Sequence, residues 1–331
     1  MKVAVVILNW NGKELLKQFL PSVLKHSREE AAIYVADNAS TDDSVVFITE
    51  NFPEVRILQN TTNGGYAGGY NEALSTLTED IFVLLNSDVE VTKNWISPLV
   101  SAFQKDTNLV AAQPKILDYH NKDTFEYAGA AGGFIDALGY PYCRGRIFNT
   151  IEKDEGQYDD SATIFWATGA CLFLKRDAFW NAGALDPDFF AHQEEIDLCW
   201  RLQAAEGTVK YIGASTVYHV GGATLSAGNP QKTFYNFRNT LLVLLKNVKG
   251  GVIWKIIILR LFLDGIAGIQ FLVQGKPRHC MAIIRAHFSF YGAISVFLKK
   301  RKQFASSLKY YRTNSIIWAY FIKKRRDFKK L

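Results

Sequence analysis

Asp88, Glu194, Glu195, Asp197 and His219 are the side chains whose types and surroundings could carry chemistry. Asp88 closes Asn86-Ser87-Asp88, directly after the apolar run Ile81–Leu85. A short, hard carboxylate at the end of such a run can hold a divalent cation, and that cation can neutralise a diphosphate. The plainer use of the same residues is a turn after a core strand. Glu194, Glu195 and Asp197 crowd the first turn of a helical pattern in which Leu198 and Leu202 face a core. Carboxylates placed there complement the helix dipole. Crowding also raises their pKa toward general-base use, and the preceding Phe189-Phe190-Ala191-His192 can bring them to a pocket. His219 follows a short strand pattern before Gly221-Gly222 and suits either a metal ligand or a structural role.

Two further groups address a nucleotide. Asn9-Trp10-Asn11 ends one strand pattern and Asp37-Asn38 ends the next. Side by side on parallel strands, their amides and carboxylate can read a base edge and a ribose, although both types are also ordinary loop residues. Asn63-Gly64-Gly65-Tyr66-Ala67-Gly68-Gly69-Tyr70-Asn71 is glycine-rich between a strand and a helix, where backbone amides can face a phosphate. It matches neither the dinucleotide GxGxxG fingerprint nor a P-loop.

The elements that must position these residues alternate. Strands are expected at Lys2–Leu8, Ala31–Val35, Val55–Leu58, Ile81–Leu85 and Leu109–Ala112, and helices at Lys13–Lys25, around Phe47–Asn51, and at Tyr70–Leu77 and Trp95–Phe103. Ile81–Leu85 is too short for a typical helix and suits a strand buried on both faces of a parallel sheet. The alternation predicts a doubly wound α/β sheet whose ligand sits at the carboxyl ends of its strands. From Asp118 to Ser161 glycines and tyrosines replace the pattern, as in loops or irregular strands lining a site. Order returns with Thr163–Leu174, a helix at Arg176–Asn181, another at Glu194–Glu206, and strands at Val209–Ile212 and Thr216–His219. A boundary is expected near Ser226–Gln231, dividing 1–228 from a helical region 229–331.

The 331 residues carry a net charge of +6, divided unevenly. Residues 243–331 sum to +17, with Asp264 and Asp327 their only acids, and the preceding 242 residues sum to −11. A basic tail on an acidic body points to a polyanion, and interleaved aliphatic and aromatic residues favour an anionic membrane surface over nucleic acid. The longest uncharged run in the apolar stretch Val252–Gln274, Gly265 to Gly275, falls short of the ~18–20 residues that span a bilayer. Interfacial helices bearing lysine and arginine on one face are therefore expected, with a soluble basic subdomain or an oligomer interface as the alternative use of the tail. The four cysteines are scattered without metal-type spacing, which predicts free thiols in a reducing compartment. Lys2–Leu8 already reads as a strand, so no secretory leader is expected.

In this order the segments at 5–12, 36–42, 63–71, 84–89, 167–171, 194–201 and 218–222 resemble the family 2 inverting glycosyltransferases of the GT-A fold, especially the bacterial rhamnosyltransferase-like branch. The resemblance covers about residues 1–245. It implies a Rossmann-like, mostly parallel sheet flanked by helices, followed here by a basic amphipathic helical region. It also implies transfer of a sugar from a dTDP-, UDP- or GDP-sugar to a hydroxyl of a saccharide or lipid-linked acceptor, on the cytoplasmic face of a membrane. Asp37 would accept from the donor base with Asn9 nearby, and Asn63 and Gly65 would line the nucleotide-sugar cleft. Thr168 and Gly169 would wall the donor sugar. Asp88 stands at the last Asp of the family's DxD motif and, with His219, would ligate Mg2+ or Mn2+. Asn86 replaces the first Asp, which removes one anionic ligand. Glu195 takes the second place of the acidic pair and would be the base, although the family usually has Asp there, so Glu194 and Asp197 stay open for that role. A sugar nucleotidyltransferase and a metal-deficient sugar-binding scaffold are the competing functions.

Overall fold

The computed structural model describes residues 1–221 and 228–331. Gly222 of the expected Gly-Gly turn and Ser226 of the expected boundary lie outside the described residues. In chain order the first half forms β1 (Val3–Asn9), α1 (Lys13–Ser27), β2 (Ala32–Asp37), α2 (Ser44–Asn51), β3 (Arg56–Gln59), α3 (Gly65–Leu74), β4 (Ile81–Asn86), β5 (Val89–Val91), α4 (Ser97–Lys105) and β6 (Leu109–Asp118). Five short strands follow: β7 (Gly133–Ile135), β8 (Pro141–Cys143), β9 (Arg146–Ile147), β10 (Thr150–Ile151) and β11 (Ser161–Thr163). Then come β12 (Cys171–Lys175), α5 (Arg176–Asn181), α6 (Glu194–Ala204), β13 (Thr208–His219), α7 (Pro230–Asn247), α8 (Val252–Val273) and α9 (Pro277–Phe304).

The wide sheet runs β11-β13-β6-β12-β4-β1-β2-β3, with β5 added to β13. Strands β4, β1, β2 and β3 are parallel, as the alternating pattern requires. Strand β12 departs from that expectation, pairing antiparallel with both β4 and β6. The chain leaves β6 at the carboxyl end of the parallel strands and, after the long excursion through β7–β10, enters β12 from that same end. Such a return reverses the strand. The sheet is thus mixed, and β6 and β13 restore parallel pairing beyond β12. The two strands expected at Val209–Ile212 and Thr216–His219 are one strand, interrupted by a register shift between Ile212 and Thr216.

Strand β4 shows why the apolar runs work. Ile81, Val83 and Leu85 join a cluster with α1 and α4, while Phe82 and Leu84 join another with α3, α6 and α7. All five are fully buried, so both faces of the sheet are covered, as a parallel core strand demands. The polar residues that follow are left at the strand's carboxyl end.

The glycine-rich segment differs from its expectation. Gly65 to Gly69 form the first turns of α3 itself, not an open loop before a helix at Tyr70. Close packing explains the composition: a Cβ on Gly69 would lie 2.9 Å from the Asn38 amide, and one on Gly65 (φ 67°) would lie 2.6 Å from the Phe190 carbonyl.

All four cysteines are free thiols, and Cys171 and Cys199 are buried as expected. Helices α7, α8 and α9 pack on the body and contribute Leu244, Ile257 and Phe290 to the same core cluster as α3 and α6. Both α8 and α9 are long and apolar enough, by length and composition, to cross a membrane. Their charges divide: Arg260 and Asp264 of α8 are buried, against the expected outward placement, whereas Lys255 of α8 and Arg285, Lys299 and Lys302 of α9 are exposed.

Candidate active site

Pairing of β1 with β4 and β2 sets Asn9, Asp37 and Asn86 along one edge of the sheet. Strand β13 delivers His219 opposite Val89, and the Val220 amide donates to the Asp88 carbonyl at 3.1 Å. The side chains then meet. His219 Nε2 lies 3.1 Å from Asp88 Oδ1 and 3.4 Å from the Asn86 amide nitrogen. On the other side of the ring, Nδ1 lies 3.4 Å from Glu126 Oε1. His219, Asp88 and Glu126 are all buried. Burial works against the imidazolium, but hydrogen bonding to Asp88 and Glu126 outweighs it and raises the His219 pKa to about 10.

Two ligands of one divalent cation at about 2.1 Å and right angles sit about 3.0 Å apart. The Asp88–His219 spacing and the chemistry of a carboxylate with an imidazole therefore fit such an ion. Among the described residues no group of three or more His, Cys, Asp or Glu is arranged to hold a metal by itself. The remaining ligands would have to come from substrate oxygens or water.

Glu126 was not singled out in the sequence, because it lies in the irregular stretch after β6. Its Oε2 accepts from the Ala128 amide at 2.6 Å, which fixes the carboxylate against the histidine. Gly221 (φ 72°) makes room for it, since a Cβ there would lie 2.9 Å from Glu126 Oε1. A carboxylate behind a metal-binding histidine orients the ring and strengthens its basicity.

Thr168 and Gly169 lie in the same wall. The Ala170 carbonyl accepts from the Asn86 amide at 3.0 Å, and the Gly169 carbonyl accepts from the Tyr66 hydroxyl at 2.7 Å. A Cβ on Gly129 would lie 2.5 Å from Thr168, so that glycine lets the wall close. The Thr168 amide donates to Gln113 at 3.0 Å, tying the wall to β6.

The nucleotide-side residues are turned inward. Asp37 accepts from Asn9 at 3.0 Å, from the Ser40 amide at 3.0 Å and from Gln59 at 2.7 Å. Burial raises its pKa, but the hydrogen bonds from Ser40, Gln59 and Asn9 prevail and hold it below the usual range. Asn63 Oδ1 accepts from Asn38 and from the Gly65 amide, each at 2.9 Å. The Gly64 and Tyr66 amides donate to Asn38 and to the Phe190 carbonyl. These amides are engaged within the protein, so the segment shapes the cleft without offering the free phosphate cradle that its glycines suggested.

The acidic turn divides in two. Asp197 is fully buried with both oxygens engaged: Arg201 at 2.9 Å and Lys246 at 2.8 Å on one, Asn247 at 2.8 Å on the other. Burial opposes its charge, yet Arg201 and Lys246 bring its pKa down to about 2. This carboxylate anchors α6 to α7. Glu194 and Glu195 have no such cations, and each keeps a buried oxygen without a hydrogen-bond partner. Burial, then the neighbouring Glu195, pushes Glu194 well above the carboxylate range. Burial raises Glu195 to about 7, against the restraint of amide hydrogen bonds at the helix start.

The loop leading into that turn is strained. Phe190, His192 and Gln193 have φ of 63°, 68° and 77°, each costing about 1 kcal/mol or more for a side-chain-bearing residue. Fully buried Asn239 of α7 holds it, its amide reaching the carbonyls of Phe189, Ala191 and His192 at 2.7–3.0 Å.

Residues 4–183 match the model of the family described as Glycosyl transferase family 2. The chain belongs to that family. Among curated family relatives it is 27% identical to N-acetylglucosaminyl-diphospho-decaprenol L-rhamnosyltransferase of Mycobacterium tuberculosis, over 65% of this chain and 75% of that one. It is 24% identical to the low-salt glycan biosynthesis hexosyltransferase Agl10 of Haloferax volcanii, over 60% and 61% of the two chains. The first likeness bears out the rhamnosyltransferase-like resemblance. Two solved structures share the fold: GalNAc-T7 with UDP, GalNAc and Mn2+ (TM-score 0.63, 19% identity, 97% of this chain and 57% of that one), and the mannosyltransferase PcManGT of Pyrobaculum calidifontis with GDP-Man and Mn2+ (TM-score 0.54, 14% identity, 91% and 84%). The match to the family 2 model ends before α6, so the acidic turn and His219 lie beyond it.

Proposed function

We propose that this family 2 glycosyltransferase is an inverting enzyme. It moves a sugar from a dTDP-, UDP- or GDP-sugar to a hydroxyl of a saccharide or lipid-linked acceptor, at the cytoplasmic face of a membrane. Residues 1–228 supply the catalysis, and 229–331 supply membrane association. The observation that carries the reading is the pairing of Asp88 and His219 at 3.1 Å at one side of the fold's strand ends, with a carboxyl poised near neutrality at Glu195.

Glu195 takes the proton of the acceptor hydroxyl as its oxygen attacks the anomeric carbon, on the face opposite the departing nucleotide diphosphate. Glu194 beside it, whose ionisation burial and the Glu195 carboxyl both disfavour, limits the negative charge next to the base. Thr168 and Gly169 confine the donor sugar, and Asp37 with Asn9, Asn63 and Gly65 shape the nucleotide end. Mg2+ or Mn2+ held by Asp88 and His219, with Asn86 beside them, would supply positive charge against the diphosphate.

Glu195→Gln tests the assignment. Transfer should fall by about 10²–10⁴-fold, the share typical of a general base, while thermal stabilisation by the donor persists. Undiminished transfer would move the base elsewhere.

A further inference from the structure

We infer that α8 and α9 form a hairpin that lies in the plane of one membrane leaflet, with its apolar outer face in the lipid, its Arg260–Asp264 pair turned into the protein and its exposed lysines and arginines at headgroup level. The inference extends the lipid-linked acceptor of the reading above by saying how the enzyme meets it.

The distribution of exposed apolar side chains is lopsided. Among the described residues, 17 of the 23 large exposed hydrophobics fall between Val252 and Ile322. On α8 they keep one face, with Ile258, Phe262, Ile266, Ile269 and Val273 each at least half exposed. The opposite face, Ile253, Ile257, Arg260, Asp264 and Gly268, is buried. Two of its three ionic residues, Arg260 and Asp264, are on the protein side, and only Lys255, in its first turn, is exposed. The Arg260 guanidinium lies 3.8 Å from the Tyr140 ring and donates to the Leu138 carbonyl at 2.6 Å. Asp264 meets Arg260 at 3.4 Å and His287 of α9 at 3.3 Å. Water has no claim on a face built this way, whereas a hydrocarbon phase does.

The geometry excludes a crossing. Helix α9 is about 42 Å long at 1.5 Å per residue, and both of its ends are tied to the body. At one end His279 meets Thr233 of α7 at 2.7 Å. At the other, Lys300 pairs with Asp188 at 2.7 Å and Arg301 reaches the Leu245 carbonyl at 2.8 Å. A helix fastened along its length to a globular body can sink only as deep as one face allows. Gly275 (φ 70°) ends α8, and Gln274–Lys276 make the turn.

Charge selects lipid over a second copy of the chain. Exposed Lys255, Lys276, Arg278, Arg285, Lys299 and Lys302 flank the apolar face. Trp318, Phe321 and Ile322 expose a second apolar patch, followed by exposed Lys323, Lys324, Arg325 and Arg326. Two copies meeting here would bring these cations together without acids to offset them, because Asp264 is buried and Asp327 pairs with Lys330. Anionic headgroups around an inserted apolar strip match the arrangement at about 1 kcal/mol per cation near the surface. The hairpin also borders α7, whose Asn239 holds the loop before Glu194.

The test uses the full-length protein and vesicles of phosphatidylethanolamine with phosphatidylglycerol. Wild type should float with the vesicles and stay bound in high salt. Phe262→Ser/Ile269→Ser/Phe288→Ser, at exposed positions, should weaken partitioning by roughly tenfold per side chain while donor-induced thermal stabilisation persists. Gln274→Cys in a Cys280→Ser background should remain reactive to an impermeant maleimide added outside the vesicles. Unchanged partitioning of the triple variant, release of wild type by salt alone, or a dimer dispersed by the same substitutions would overturn the inference. Protection of Cys at position 274 would replace an in-plane hairpin by a crossing one. Vesicle binding without stabilisation by any nucleotide-sugar would instead leave the hairpin standing and remove the proposed enzymatic reading.

Discussion

The two sides of the first turn of α6 carry the same chemistry to opposite ends. Asp197 faces Arg201, Lys246 and Asn247, and its pKa falls to about 2. Two residues earlier Glu195 faces no cation, and burial raises it to about 7. Sequence spacing treats all three acids as one crowded cluster. Partners arriving from 49 and 50 positions further along the chain separate them into an anchor and a candidate base. The lesson is that crowding raises a carboxyl only where nothing neutralises it.

The comparison can be broken by paired substitutions. Asp197→Asn should destabilise the fold by about 3–5 kcal/mol, because it leaves buried Arg201 without a carboxylate and buried Lys246 with Asp186 alone. A thermal melt would show this as a large fall in Tm. Glu195→Gln should leave Tm nearly unchanged and remove activity as described above. If the two effects exchange places, the division of the turn is wrong. Next in size, Glu126→Gln should weaken Mn2+ binding by about 10–100-fold in titration calorimetry, since the His219 ring loses the carboxylate behind it. Equal affinity would reduce Glu126 to a packing role. Asn239→Ala should cost about 1–3 kcal/mol by releasing three buried carbonyls of the strained loop, and kcat should fall with it. The smallest expected effect sharpens the assignment of the base. A base acts when deprotonated, so kcat should rise with pH and level off above about 7, with that limb missing from residual Glu195→Gln turnover.

Much of this molecule was legible because its core strands are short, apolar and bounded by polar residues. Ile81–Leu85 could be read as doubly buried, and Asp88 could be read as lying at a ligand-facing edge. The ordered motifs then brought His219 to Asp88 from 131 residues away, although no periodicity requires it. What stayed hidden depends on long-range packing. Strand β12 reverses only because the long excursion brings the chain back to the end of the sheet at which β6 left it. The glycines of α3 look like a phosphate loop until Asn38 and Phe190 are seen to occupy the space that side chains would need. Glu126 carries no local signal in its irregular stretch. Arg260 and Asp264 made α8 look polar on its outer face, and only Tyr140, Leu138 and His287 show that those charges point inward.

The ion network joining α6 to the later helices sets a condition on the whole chain. Lys246 bridges Asp186 and Asp197, and Lys300 pairs with Asp186 and Asp188. Severing the polypeptide after β13 would leave buried Asp186 without its lysines and buried Asp197, in the turn that also carries Glu195, with Arg201 alone. Lys246 of α7 and Lys300 of α9 thus converge on Asp186, so the helices proposed to meet lipid are tied by charge to the turn that carries the candidate base.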